Sequence, residues 1–127
     1  AITDEELKQS DWDVIYQEMY HRIEKELQAG KNVVNDTGIF TKYERELVRK
    51  IGDKLHKETV TIYVTTPEDV CLERLRKNKE TKERFQVSEK AFKEAAAEME
   101  IPDQTENTIR YDDNTSPDKW IAEHLID

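Results

Sequence analysis

Apolar positions along the chain fall in short, separate groups whose spacing predicts elements of alternating type. From Asp11 to Ala29, Ile15, Met19, Ile23 and Leu27 recur at helical intervals with Trp12, Tyr16 and Tyr20 beside them, the pattern of an amphipathic helix. Gly30 follows where helices commonly end in a left-handed residue. The run NVVND, residues 32–36, is too brief for a helix and β-branched at its centre, and reads as a buried strand. Thr41 with Glu44 makes a capping-box pattern, and Tyr43, Leu47, Val48, Ile51 and Leu55 carry a helix to about Lys57.

The second half repeats the alternation. TVTIYV, residues 59–64, is the clearest strand; TTPEDVCLERLRK then predicts a helix with Thr66 as cap, Pro67 in the first turn and Val70, Cys71 and Leu75 as its apolar stripe. Residues 76–86 are almost wholly polar and locally basic, and are expected to be mobile. Ser88 caps a further helix that ends before Pro102, NTIRYDD reads as a weak strand, and Ser116 with Pro117 opens a last helix. Strands alternating with helices imply an α/β fold with a parallel sheet covered on both faces. In such sheets ligands bind at the carboxyl ends of strands, which would place Asp36, Thr65 and Asp112 near one edge.

Composition narrows this picture. At 127 residues the chain is the size of one domain, and with 35% hydrophobic and 39% charged residues its core should be thin. Twenty basic residues against 29 acidic ones give a net charge of −9, which argues against sequence-independent attachment to nucleic acid or anionic membrane. Cys71 is the single cysteine, so no intrachain disulfide can form and a reducing, cytoplasmic setting is expected. No stretch is apolar for long enough to cross a bilayer. The amino end opens directly in acidic, helix-starting sequence, with Thr3 three residues before Glu6, Ser10 three before Asp13 and no initiator Met, and reads as the interior of a longer chain.

Three runs in register, GKNVVNDTGIFTKYERELVRKI, VTIYVTTPEDVCLERLRKN and RFQVSEKAFKEAAAEMEIP, carry a resemblance. In order and spacing the chain resembles the P-loop kinases of the polynucleotide-kinase and zeta-toxin-like group, labelled AAA-type ATP-binding kinases. The resemblance implies a three-layer P-loop NTPase-like parallel sheet with flanking helices, and a phosphotransferase that uses ATP and Mg²⁺. That group opens with a strand, a GxxxxGK[ST] phosphate loop and a helix. Here the three glycines are Gly30, Gly38 and Gly52, and none precedes a Lys-Ser or Lys-Thr pair. Residues 1–127 are therefore expected to be a single partial domain, the carboxyl-terminal part of a longer kinase whose first strands and phosphate loop are absent. Alone, it should neither bind ATP tightly nor transfer phosphate. The missing central strand would leave sheet edges exposed, and a dimer through those edges is the natural repair.

Residue roles follow from the same resemblance. Asp36 matches the acidic end of the group's D-A-T-N-like strand and would orient the acceptor hydroxyl or a metal-bound water; Thr37, Thr41 and Arg45 would bind the acceptor, although Thr37-Gly38-Ile39 replaces the usual Ala-Thr-Asn. Residues 76–87 resemble the lid, and Arg74, Arg76 and Arg84 are the candidates to cancel charge on the nucleotide's phosphates. Asn114 to Pro117 could pack near the adenine. Plainer readings stand beside these: Asp36 as a turn-former, Arg45 as a solvated helix residue paired with glutamates, the basic run as ordinary surface, Asn114 to Pro117 as a helix cap. His21, His56 and His124 lack ligand spacing, Cys71 reads as packing, and Trp12 and Trp120 as core or interface aromatics.

Two function classes result. In the first the chain holds the acceptor side and lid of a kinase for a hydroxyl on a small metabolite, a nucleotide or a nucleic-acid end. In the second it is a non-catalytic interaction or assembly module. A nucleic-acid-binding domain is disfavoured by the charge and by the lack of aromatics interleaved with basic residues.

Overall fold

A computed structural model describes residues 6–126. Thr3, expected to open a capping box, lies outside them. The chain forms two compact units, Ala1–Thr59 and Val60–Asp127. Both are thinly cored: among the described residues the buried apolar side chains are Ile23 in the first unit and Pro102 and Trp120 in the second.

In the first unit, helix α1 spans Gln9–Gln28 and packs on helix α2, Lys42–Lys54. Ser10 already lies inside α1, whose start is held instead by the Asp11 carboxylate, which accepts from the Lys8 backbone N–H at 2.9 Å. The inward stripe also differs from expectation. Ile23 is buried, with Met19, Leu27, Trp12, Tyr16 and Tyr20 half-buried, whereas Ile15 is exposed. Trp12, Tyr16 and Tyr20 follow one another up the helix with ring centroids 6.3 and 6.5 Å apart. Helix α1 ends as its glycine predicts: Gly30 sits at φ +81°, its N–H bonds to Leu27 and the Lys31 N–H reaches back to Glu26. Helix α2 ends in the same double bond pattern, from His56 to Asp53 and Lys57 to Gly52, with His56 in the left-handed position at φ 56°. A side chain at Gly52 would meet Thr59 Oγ1 at 2.5 Å, so the returning chain requires glycine there.

The expected strand at 32–36 does not form. Residues 31–40 are irregular, and Val34 is 89% exposed. Two β-branched residues favour extended backbone, but a strand is completed only by a neighbour, and among the described residues none hydrogen-bonds to this segment as a ladder.

The second unit is α/β. Strands β1, Thr61–Val64, and β2, Thr108–Tyr111, pair in parallel with Thr61 opposite Thr108 and Val64 opposite Tyr111. Between them run helices α3, Glu68–Thr81, and α4, Glu89–Glu98, and helix α5, Pro117–His124, follows. Together with α1 and α2 this makes five helices and a two-stranded parallel sheet among the described residues. Pro67, not Thr66, is the residue before α3. Ser88 and Ser116 cap α4 and α5 as expected, accepting from Ala91 and Lys119. Helix α3 continues to Thr81, so the first half of the supposed lid is helical; Lys, Glu and Arg sustain a helix by propensity without an apolar stripe.

The core of this unit is built round Trp120. Its ring meets Tyr111 edge-on at 5.3 Å and stacks on His124 at 4.7 Å, and its Nε1–H donates to the Arg110 carbonyl at 3.0 Å. Glu106 is fully buried without being apolar: its carboxylate accepts from the Asp103 N–H at 2.9 Å, closing the 3-10 turn Gln104–Glu106 before β2.

Candidate functional site

In the first unit the candidate residues lie on the connection into α2. Asn35 Oδ1 accepts from the Thr37 hydroxyl at 3.2 Å, while its Nδ2 is buried with no partner among the described residues. Asp36 ends no strand. Its carboxylate is exposed and makes no hydrogen bond among the described residues, and Thr37 is likewise exposed. The Ile39 N–H turns back to the Thr37 carbonyl at 2.9 Å. A Cβ on Gly38 would lie 2.6 Å from the Phe40 ring, and the Gly38 carbonyl accepts from the Tyr16 hydroxyl at 3.3 Å. The Thr-Gly-Ile departure thus has a packing reason, since the Phe40 ring occupies the space a side chain at Gly38 would need.

Thr41 and Arg45 build this connection. Thr41 Oγ1 accepts from the Glu44 N–H at 3.2 Å, and the Glu44 carboxylate returns to the N–H groups of Phe40 and Thr41 at 2.9 and 3.2 Å. Arg45 is only 4% exposed, and its Nη1 donates to the Phe40 carbonyl at 3.0 Å. It is therefore not the solvated helix residue of the plainer reading. Of the four candidates here, Asp36 and Thr37 are open to solvent while Thr41 and Arg45 are engaged by the protein itself.

Burial, with the nearby Glu44 carboxylate second, raises the Tyr16 and Tyr20 phenols above their ordinary value. The folded protein holds these protons more tightly than the unfolded chain, so the stability they contribute is whole below about pH 10 and is lost as the pH rises through the higher folded values. In urea titrations the unfolding midpoint should fall more steeply above about pH 10 than in the Tyr16→Phe/Tyr20→Phe variant. Equal slopes would show that these phenols do not report on folding.

In the second unit the sheet's carboxyl edge carries Thr65, whose N–H and hydroxyl both donate to the Tyr111 carbonyl, at 2.9 and 3.2 Å. Asp112 follows β2 and accepts from the Asn114 N–H at 3.0 Å, while Ser116 serves as the α5 cap. The three arginines are in different states. Arg74 pairs with Asp113 at 2.5 Å. Arg76 meets Glu89 with Nε at 2.8 Å and Nη2 at 3.5 Å, and that hydrogen bond and charge hold the Glu89 carboxyl below the usual carboxylate range. The Arg84 guanidinium has no hydrogen-bond or ion-pair partner among the described residues. The sequence did not single out Asp113, Glu89 or Asn78. Only Asn78 carried a signal, as an asparagine near the end of a Lys- and Glu-rich helix.

The family model described as an AAA domain matches residues 2–102. The chain belongs to the AAA-domain family. No curated protein and no solved structure matches it. An AAA domain is a nucleotide-binding P-loop module, and the match takes in the Asp36–Arg45 segment, α3 and α4, while β2 and α5 lie beyond it. An unpaired guanidinium and one already chelating a carboxylate suit phosphate oxygens, whereas no group of three or more His, Cys, Asp or Glu side chains that could hold a metal ion occurs among the described residues. No helix of the described residues is long and apolar enough to cross a membrane.

Proposed function

We propose that this AAA domain is the acceptor- and lid-bearing part of an ATP-dependent hydroxyl kinase of the polynucleotide-kinase and zeta-toxin-like group, within a three-layer parallel sheet completed by a strand, phosphate loop and helix outside these residues. The observation that carries the reading is the state of the basic run. In a chain of net charge −9, Arg76, Lys77, Lys79, Lys82 and Arg84 outweigh Glu80 and Glu83, and the Arg84 guanidinium is left unpaired among the described residues. Phosphoryl transfer is catalysed mainly by positioning and by cancelling charge on phosphoryl oxygens, which is work that such arginines suit. Asp36, exposed beside Thr37, would accept a hydrogen bond from the acceptor hydroxyl and orient it. Acceptors of this class are small metabolites, nucleotides or nucleic-acid ends, and the setting is the cytoplasm.

A non-catalytic assembly module is the second reading, favoured by Ile62 and Val64, which stand exposed on β1. Calorimetric titration of Mg·ATP separates the two. The titration is made into this chain and into the same chain extended at its amino end by a strand–GxxxxGK[ST]–helix segment. Binding to the extended form alone is the expected result. Binding to neither would discard the kinase and leave the assembly module; tight binding to the short chain would overturn this account of the site.

A further inference from the structure

Helix α3 ends in a locked turn. Lys82 adopts φ 55°, a left-handed conformation that costs a lysine about 1 kcal/mol, and its N–H bonds to the Asn78 carbonyl at 2.7 Å. The Asn78 side chain then holds the chain beyond it at three points. Its Oδ1 accepts from the Arg84 N–H at 2.9 Å, and its Nδ2 donates to the carbonyls of Arg84 and Phe85 at 3.2 and 3.5 Å. One asparagine thus ties both backbone groups of Arg84 to the end of the helix while the guanidinium of that residue stays unpaired. Arg74 and Arg76 are in the opposite condition, lying in the regular backbone of α3 with side chains already bound to Asp113 and Glu89.

We propose that Asn78 is a positioning residue that sets Arg84 as the leading contact for a polyphosphate, ahead of the carboxylate-bound Arg74 and Arg76. The assignment rests on the kinase reading above and deepens it. An anion that meets Arg84 displaces no carboxylate and orders no backbone, whereas one that meets Arg76 must first break a bidentate pair. Recruitment is therefore sequential: Arg84 engages first, and Arg76 follows only where the ligand outcompetes Glu89.

The test uses this chain and excess inorganic tripolyphosphate, a contact too weak to register as tight nucleotide binding but followed site by site through the arginine Nε–Hε resonances. In the unmodified protein Arg84 should half-saturate at a concentration about threefold or more below that for Arg74 and Arg76. Asn78→Ala should erase that lead while leaving the Arg76 response in place, a selectivity that general loss of structure would not give. Asn78→Asp keeps the acceptor for the Arg84 N–H but sets a carboxylate oxygen against the Arg84 and Phe85 carbonyls, so it too should erase the lead. An Arg84 lead unchanged in Asn78→Ala, or three arginines responding together in the unmodified protein, would overturn the proposal. The Mg·ATP titration of the extended chain reports on the kinase reading separately: ATP binding there with an unchanged Arg84 lead discards the role of Asn78 alone, and no ATP binding discards the kinase.

Discussion

Replacing Trp120 by alanine should cost the second unit about 3–5 kcal/mol, enough to unfold a unit whose total stability is of that order. Trp120 is 6% exposed and is the one buried aromatic side chain described in the unit. Its removal loses the edge-on contact with Tyr111 and the stack on His124 together. It also strips the Arg110 carbonyl of its indole donor. Trp120→Phe separates these contributions, because a smaller ring keeps much of the packing but cannot donate. Its loss should be near that of a hydrogen bond plus a modest packing defect, about 1–2 kcal/mol. Urea unfolding followed by amide exchange at β2 reads both variants. A loss below about 1 kcal/mol for Trp120→Ala would show that the ring is not the centre of this core.

The second large effect is expected at Arg45. Arg45→Ala should destabilise the first unit by about 2–4 kcal/mol, since it removes a buried side chain and leaves the Phe40 carbonyl without that donor. The carbonyl lies immediately before the Thr41–Glu44 capping box, so the loss spreads to the start of α2. Arg45→Met retains the apolar stem and should cost less, about 1–2 kcal/mol. The order Ala worse than Met, measured by urea midpoint, is the signature of an arginine that packs as well as bonds. Equal stability for all three proteins would mean that the burial of Arg45 is incidental, and would return the residue to the solvent-facing role.

What could be read from the sequence was local. The caps at Thr41, Ser88 and Ser116 and the left-handed turn at Gly30 each depend on residues within one helical turn, and all four are where the pattern puts them. Strands β1 and β2 were legible as short runs rich in β-branched residues, and their parallel pairing followed from the helices between them. The run at 32–36 carries the same β-branched signal and is not a strand, because pairing is decided by a partner elsewhere and not by the run. Arg45 and Glu106 were illegible for a related reason. A charged side chain is buried only where carbonyls or N–H groups wait for it; nothing in the spacing of FTKYER discloses the Phe40 carbonyl, and although Asp103 three residues before Glu106 has capping-box spacing, that spacing does not disclose the burial of Glu106. Helix α3 outruns its expected end near Lys77 and continues to Thr81, since polar residues of good helix propensity extend a helix without an apolar stripe.

The indole bond to Arg110 has a consequence for how many neighbours the sheet can accept. Because Thr61 and Thr65 donate to Asn107 and Tyr111, the Arg110 carbonyl points to the far side of β2, and Trp120 occupies it there. On β1 the alternation leaves the backbone groups of Ile62 and Val64 facing away from β2, with no such plug among the described residues. A sheet stoppered on one margin admits a single newcomer. Two copies meeting margin to margin would saturate each other and stop at a pair, whereas a sheet open on both margins could propagate into a filament.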